Sequence, residues 1–569
     1  MIIMERQYGN WDDLCYNKKK INDEIDILLQ RSKNAREFIL NTNHSTSDNV
    51  QKIIATLADD TYEFNSFHSL CKLLKMVSPN KDIRTLWDKT DKLLSSHVEK
   101  FNSDRELFNK LSQVSTYVDD SIDRLFVDKI LKGFEKYGFF SKSSGKAIVD
   151  VLHEIHSWEE KMSVEPIHLH SLITLRSKYV KLLGYETYMG FKSSLDMVSL
   201  KNTLCKIISD DIDTRCYNEL QTISQSLQKP KISSVDILLY REKLMNKYTI
   251  NLFTALNEVI NLISEIFQLN FIKQKQSYVK TWEQNVLVYV IKYKNETYGH
   301  LYVDLIKDLR LEKITQPISL NLHECVHYPN ESKVFKLPVI VLLGNLDAER
   351  ITYLDVINIF KEMGAIVQTL FHRSKYENIN VDCYMRSFMG YLFEHIAFDL
   401  DTVKRFFPRY ALSIHRGLIC DRAFKLKQQC IATLFDCVVH GTKIFDNWES
   451  LVLEYDNIYR AIMNKSLQQC VSQNFPNNLA VNLIFNGGII YSEITNGIMA
   501  YNLYVLLKET NGFSRFVNKV LRETLVSFDV GVASFIDEGG CVDKKKEHMC
   551  YLSDEERCVS ENTNYFTDN

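Results

Sequence analysis

Glycine and proline are scarce in this chain, 19 and 8 of 569 residues. That shortage excludes collagen-like and low-complexity architectures and favours long helices with few interruptions. No apolar run approaches the roughly 18 residues needed to cross a bilayer, so no membrane span is expected. A dominant charge is missing as well. With 69 lysines and arginines against 72 acids, the net charge of −3 gives no electrostatic case for nucleic acid. The short basic runs Lys18-Lys19-Lys20 and Lys544-Lys545-Lys546 read as solvated surface. Thirteen cysteines are an odd number without a regular framework, which reads as reduced thiols in an intracellular protein. The first twenty residues mix Glu5, Asp12 and Asp13 with basic ones. An arginine-rich mitochondrial presequence would be nearly free of acids.

What is present is an ordinary globular composition, 45% hydrophobic and 25% charged, long enough to bury a substantial core. Residues 1–49 read as a helix followed by a polar linker, Asn41 to Asn49. Apolar spacing is helical from 50 to about 165, with breaks at Ser78-Pro79-Asn80 and Ser141–Gly145. It is helical again from 171 to 270, with a break around Gln228–Lys231, and from 352 to about 535. Short strands fall between about 286 and 343. After Gly540 the chain turns polar and reads as a mobile tail, 541–569. Its Cys541, His548, Cys550 and Cys558 match no common zinc spacing.

Two stretches compete to be a metal site. His323-Glu324-Cys325-Val326-His327 fits H-E-x-x-H by its letters. That motif needs a helix, where residues i and i+4 share a face and both imidazoles reach one ion. Residues 316–328 instead alternate apolar and polar, which predicts a strand, with Leu337–Leu343 as its hairpin partner. On a strand, i and i+4 lie roughly 13 Å apart. His323 and His327 therefore read as polar side chains on the exposed face of an edge strand, and the spacing of Glu349 as a third ligand reads as accidental.

The second stretch has the helix without the histidines. Thr352 and Asp355 predict a capped helix start, and Leu354, Val356, Ile357, Phe360, Met363, Val367 and Leu370 an apolar stripe. Asn358, Lys361, Ala365, Gln368 and His372 share another face, with Glu362 beside them.

Here the chain resembles the thimet oligopeptidase and mitochondrial intermediate peptidase family of zinc metallopeptidases, the intermediate peptidase branch most of all. Leu337–Leu346 is similar to the strand before that family's zinc helix, and Phe360-Lys361-Glu362-Met363-Gly364-Ala365 stands where it has F-H-E-M-G-H. His372-Arg373-Ser374-Lys375-Tyr376 is similar to its G-R-T-R-Y. Leu175–Tyr188, Tyr298–Leu305 and Phe393–Tyr410 resemble three further family segments, so the likeness extends from about residue 50 to 538.

The resemblance implies a mainly α, two-lobed helical ellipsoid with a deep central channel. A helical lobe would occupy roughly 50–165 and a zincin-like region 166–540, with one small β element at about 286–343. It also implies that the chemistry has been lost. Lys361 and Ala365 replace the two histidine ligands, and the glutamate ligand falls near Ser387 or Gly390. The general base survives alone as Glu362. Gly487 stands at a substrate-binding histidine, Tyr491 remains, and Thr495 and Ile498 occupy two tyrosine positions. Protonated lysine has no lone pair and alanine no ligand atom, so no zinc cofactor is expected. The implied function is an inactive peptidase-like protein that binds a peptide or a protein partner. The alternative is an active metallo-oligopeptidase with zinc on an unorthodox site, recruiting His372, His395 or the His323/His327 pair. A third reading is a structural subunit with a closed channel. The compartment is mitochondrial by resemblance, or cytoplasmic.

Overall fold

The computed structural model describes residues 17–521, apart from 140–144, 162–167, 193–199, 201–203, 205–209, 276–280, 312–313, 315, 329–330, 378–386 and 464–474. The first sixteen residues, the polar tail and its cysteines and histidine lie outside the described residues.

The chain begins with long helices: α1 (Lys18–Asn41), α2 (Ser47–Val77), α3 (Lys81–Asn102), α4 (Arg105–Ser115), α5 (Ser121–Glu135) and α6 (Gly145–Lys161). Side-chain caps start several of them. Thr46 caps α2, Asn80 caps α3, Asp104 caps α4 and Asp120 caps α5, each accepting from a first-turn amide that has no partner within its helix. Next come α7 (Leu169–Leu183), α8 (Tyr188–Lys192), α9 (Asp210–Leu227), α10 (Ser234–Met245) and α11 (Leu252–Phe267). Gly184 ends α7 at φ 96°, a left-handed conformation that glycine adopts without strain.

The β element is larger than the sequence suggested. A five-stranded sheet runs β1-β2-β3-β7-β4, from β1 (Leu269–Lys273), β2 (Leu287–Tyr293), β3 (Glu296–Ile306), β4 (Ile318–His323) and β7 (Val339–Leu346). Strand β1 begins inside the stretch read as helical, because a single residue, Gln268, separates it from the helical period of α11. Strands β5 (Val326–Tyr328) and β6 (Glu331–Lys336) form a separate two-stranded sheet. The expected antiparallel pairing of β4 with the apolar strand is present, with Leu320 opposite Val341. The single strand expected over 316–328 is two strands, broken at Glu324-Cys325, so His323 and His327 belong to different sheets.

Strands β3 and β7 pair in parallel at the sheet centre and are buried along almost their whole length. Such a strand is covered on both faces. Ile340 and Leu342 point into a core with Leu301, Val303 and the helices after the sheet. Val339, Val341 and Leu343 point into another core with Ile21, Trp87 and Leu94 of the first helices. Alternation along one strand thus joins the two sides of the molecule.

After β7 come α12 (Tyr353–Phe371), α13 (Phe388–Phe398), α14 (Leu400–Phe406), α15 (Ala411–Ile419), α16 (Arg422–Val439), α17 (Trp448–Met463), α18 (Asn477–Asn486), α19 (Tyr491–Glu509) and a short α20 (Phe513–Phe516). The mainly α architecture with one small β element agrees with the expectation. No described helix is long and apolar enough to cross a membrane.

A buried polar chain ties α7, α16 and the α18–α19 turn together. The Asp436 carboxylate accepts from the amides of Gly488 (2.8 Å) and Ile490 (3.2 Å) and bonds His440 Nδ1 at 2.7 Å. His440 Nε2 lies 3.3 Å from Arg176 Nη1, which also donates to the Leu483 carbonyl at 2.8 Å. Removing the carboxylate leaves buried donors without an acceptor. Asp436→Ala is expected to cost about 3–5 kcal/mol, the range for breaking a buried charged pair. Urea unfolding should show this as a lowered midpoint at unchanged slope.

Candidate functional site

Helix α12 starts on a full capping box: Thr352 Oγ1 accepts from the Asp355 amide, and Asp355 Oδ2 accepts from the Thr352 amide at 2.8 Å. It then runs between the sheet and α13 and is buried on nearly every side. Its closest approach to α13 is backbone to backbone. A Cβ on Gly364 would lie 2.4 Å from the Met389 carbonyl oxygen, and one on Gly390 3.2 Å from that of Lys361. Neither helix could come this close with larger residues at both places.

That approach sets the register of the side chains. Lys361 Nζ lies 3.3 Å from Glu394 Oε2, one helical turn past Gly390, and 5.0 Å from the centre of the Tyr391 ring. Its side chain is 36% exposed, not deeply buried as an ion-replacing lysine would suggest. Ala365, a turn later, offers only a methyl group, and its carbonyl accepts from Thr369 Oγ1 at 3.1 Å. Thr369 in turn meets Asn321 of β4, stitching helix to strand.

Glu362 faces the sheet edge. Its Oε2 accepts from the Ser319 amide at 2.6 Å. Burial pushes its carboxyl above the ordinary glutamate value, against the opposing pull of the Ser319 bonds and the Lys361 charge. Glu362 therefore caps an edge-strand amide.

The other predicted residues are spread apart. His323, expected on an exposed face, is partly covered, because α2 packs over β4 and brings Tyr62 Oη to 3.4 Å from Nδ1. Burial lowers its pKa to about 4. The backbone of His327 is in β5, opposite Phe335, and its side chain is outside the described residues. Glu349 is exposed in the loop before α12. His372 caps the C-terminus of α12 and is lowered to about 4 by burial. His395 is 7% exposed, its Nε2 lies 3.2 Å from the Gly497 carbonyl, and burial lowers it to about 3. Among the described residues, no three His, Cys, Asp or Glu side chains are grouped so as to hold a metal ion. The donor set on α12 and α13 does not fit zinc.

Ser387 Oγ accepts from Asn496 Nδ2 at 3.3 Å, joining the start of α13 to α19. Tyr491 is 4% exposed in the core of α7, α16 and α18. Thr495 Oγ1 donates to the Tyr491 carbonyl at 3.1 Å, and Ile498 packs partly buried against the same core. Gly487 has no room for a side chain: a Cβ there would lie 2.5 Å from His440 Cε1 and 2.6 Å from Arg176 Nη1. Sequence reasoning missed Glu394, Tyr391, Ser319 and Asn496. For Glu394 one signal existed, its place four residues after Gly390, which puts both on one helix face.

Among solved structures, the fold is similar to that of PZ peptidase A determined with an inhibitor, at a TM-score of 0.54 and 11% identity, covering 90% of this chain and 96% of that one. It is also similar to a protein from Chlamydophila abortus described as a peptidase, with a TM-score of 0.53, 12% identity and 91% of each chain covered. At these identities the likeness is one of fold. A comparison with curated proteins finds no match. The profile of peptidase family M3 matches residues 148–494, more than half of the chain and all of α12 and α13. The chain belongs to peptidase family M3.

Proposed function

We propose that this chain is a non-hydrolytic member of its family that keeps the fold to bind a peptide or a protein partner. The carrying observation is the Lys361–Glu394 pair at 3.3 Å. The three places where the resemblance puts metal ligands hold a cation, a methyl group and, near Ser387 or Gly390, a hydroxyl or no side chain. An ammonium group brings positive charge and no lone pair to the helix face a divalent ion would occupy. The bond from Ser319 to Glu362 supports the same reading. Without a metal, a carboxylate acting alone contributes only about 10²–10⁴-fold through proton transfer, and the metal-made nucleophile and polarised carbonyl are missing.

The binding role rests on the outer edge of the sheet. Among the described residues, strand β4 is the last strand in the order, with β7 as its one neighbour, and an unpaired strand edge is a template for an extended peptide. Glu362 holds one of its outward amides, so a peptide would pair beside that bond or displace it.

Metal analysis of the purified full chain should find zinc far below one per molecule. A quenched fluorescent peptide should stay uncleaved with or without chelator. Stoichiometric zinc with chelator-sensitive cleavage would establish the active alternative instead. The triple variant Lys361→His, Ala365→His, Gly390→Glu should gain zinc toward one per chain, once α12 and α13 part by a few tenths of an ångström. It should still not cleave, because no side chain fits at 487. Glu362→Gln should be more stable than the parent at pH 7, and the gap should close toward pH 4. A carboxyl with a raised folded pKa contributes its full stability below the unfolded value of roughly 4.5 and loses it as pH rises through the folded value. Melting temperatures of both proteins across that range provide the check.

A further inference from the structure

We infer that a cleft between α7 and the loop after α16 binds a small amphiphilic anion, an acidic head on an apolar body. This site belongs to the core of α7, α16 and α18, whereas Lys361 and Glu362 lie on the helix that packs against the sheet. The inference is independent of whether the chain hydrolyses peptides.

The cavity has a volume of about 660 Å³, within the roughly 300–1,000 Å³ of small-molecule sites. Its wall is largely apolar, from Ile173, Tyr188, Val439 and Phe445. All four are buried in the core, and the Phe445 carbonyl lies 2.7 Å from His170 Nε2. His440 closes the floor. Both its ring nitrogens are engaged, Nδ1 with Asp436 and Nε2 with Arg176, so it offers the cavity a ring face and no free polar atom. The polar chain that fixes the α18–α19 turn therefore also makes the floor rigid, which lowers the ordering cost of binding.

The mouth carries the charge. Lys178 and Lys181 line it three residues apart on one face of α7, both exposed. Neither has an ion pair among the described residues, so two like charges stand together without a counter-charge, an unfavourable arrangement that an anion would relieve. Lys443 lines the opposite side, 2.6 Å from Glu454. Asp446 is the one acid among the lining residues. Apolar walls below and unpaired cations above match a ligand whose anionic group stays at the rim while its hydrocarbon or aromatic part is buried. A free phosphate would use only the rim, and a neutral alcohol only the walls.

Anilinonaphthalene sulfonate, an aromatic body with one sulfonate, is the probe for a titration of the full chain. Saturable one-to-one fluorescence enhancement is expected, with dodecanoate displacing the probe. Dodecanol should need about tenfold more for the same displacement, the loss of one charge-assisted contact. Lys178→Glu with Lys181→Glu should weaken probe and dodecanoate about tenfold with an unchanged melting temperature. Thr174→Trp, placed on the exposed lining, should fill the cleft and abolish binding. Unchanged affinity in the charge-reversed variant, displacement by inorganic phosphate as readily as by dodecanoate, or absence of a saturable site would each overturn the assignment.

Discussion

The structure turns on a place where two helices meet without side chains between them. Gly364 and Gly390 let the backbones of α12 and α13 touch, with no space for a Cβ on the first and little on the second. Interiors are packed to crystal density, and a backbone contact has no rotamer through which to relax. The height of Lys361 relative to Glu394, and of Glu362 relative to Ser319, follows from it. At 390, one of the two places the resemblance allows for the third ligand, a glutamate would start from a Cβ 3.2 Å from the Lys361 carbonyl oxygen.

The sheet carries that arrangement to the rest of the molecule. Neighbouring residues of β7 belong to different cores, Ile340 and Leu342 to one and Val341 and Leu343 to the other. Strand β4 hangs on β7 and is held from the helix side by Asn321–Thr369 and Ser319–Glu362. A second tie crosses at Asp123 of α5. Burial pushes this carboxyl up, but bonds from Lys375, Tyr376 and Gln51 outweigh it and hold it below the ordinary aspartate range. The segment just after α12 is thereby fastened to the first helices. Shifting α12 would disturb both cores and this carboxylate together.

What could be read in the sequence was whatever depends on local pattern. The capping pair Thr352 and Asp355 and the 3.6-residue stripe placed α12 to within a residue, and alternation put His323 and His327 on strand and not on one turn of helix. What could not be read depends on which element lies against which. Glu394 partners Lys361 because two glycines on different helices, Gly364 and Gly390, set a helix register, and no period records that. The exposed face assigned to His323 was wrong because Tyr62 arrives from a helix some 260 residues earlier. The break at Glu324-Cys325 escaped notice because apolar alternation continues through it although the pairing partner changes.

The departures from the family pattern lie in two places that share no side chain, and each has become self-consistent. On α12 and α13, Lys361 is paired to Glu394 and Glu362 is bonded to the Ser319 amide. At 487 the glycine is enclosed by Leu483, His440 and Arg176, whose hydrogen bonds run on to Asp436 and the Gly488 amide. A glycine in a protein interior would ordinarily leave a gap that a side chain could refill. Here the buried guanidinium and imidazole stand where such a side chain would go, and moving either exposes a charge or an acceptor to an apolar interior. Refilling the first place with ligands is a matter of tenths of an ångström, whereas refilling the second means dismantling the polar chain that holds three helices.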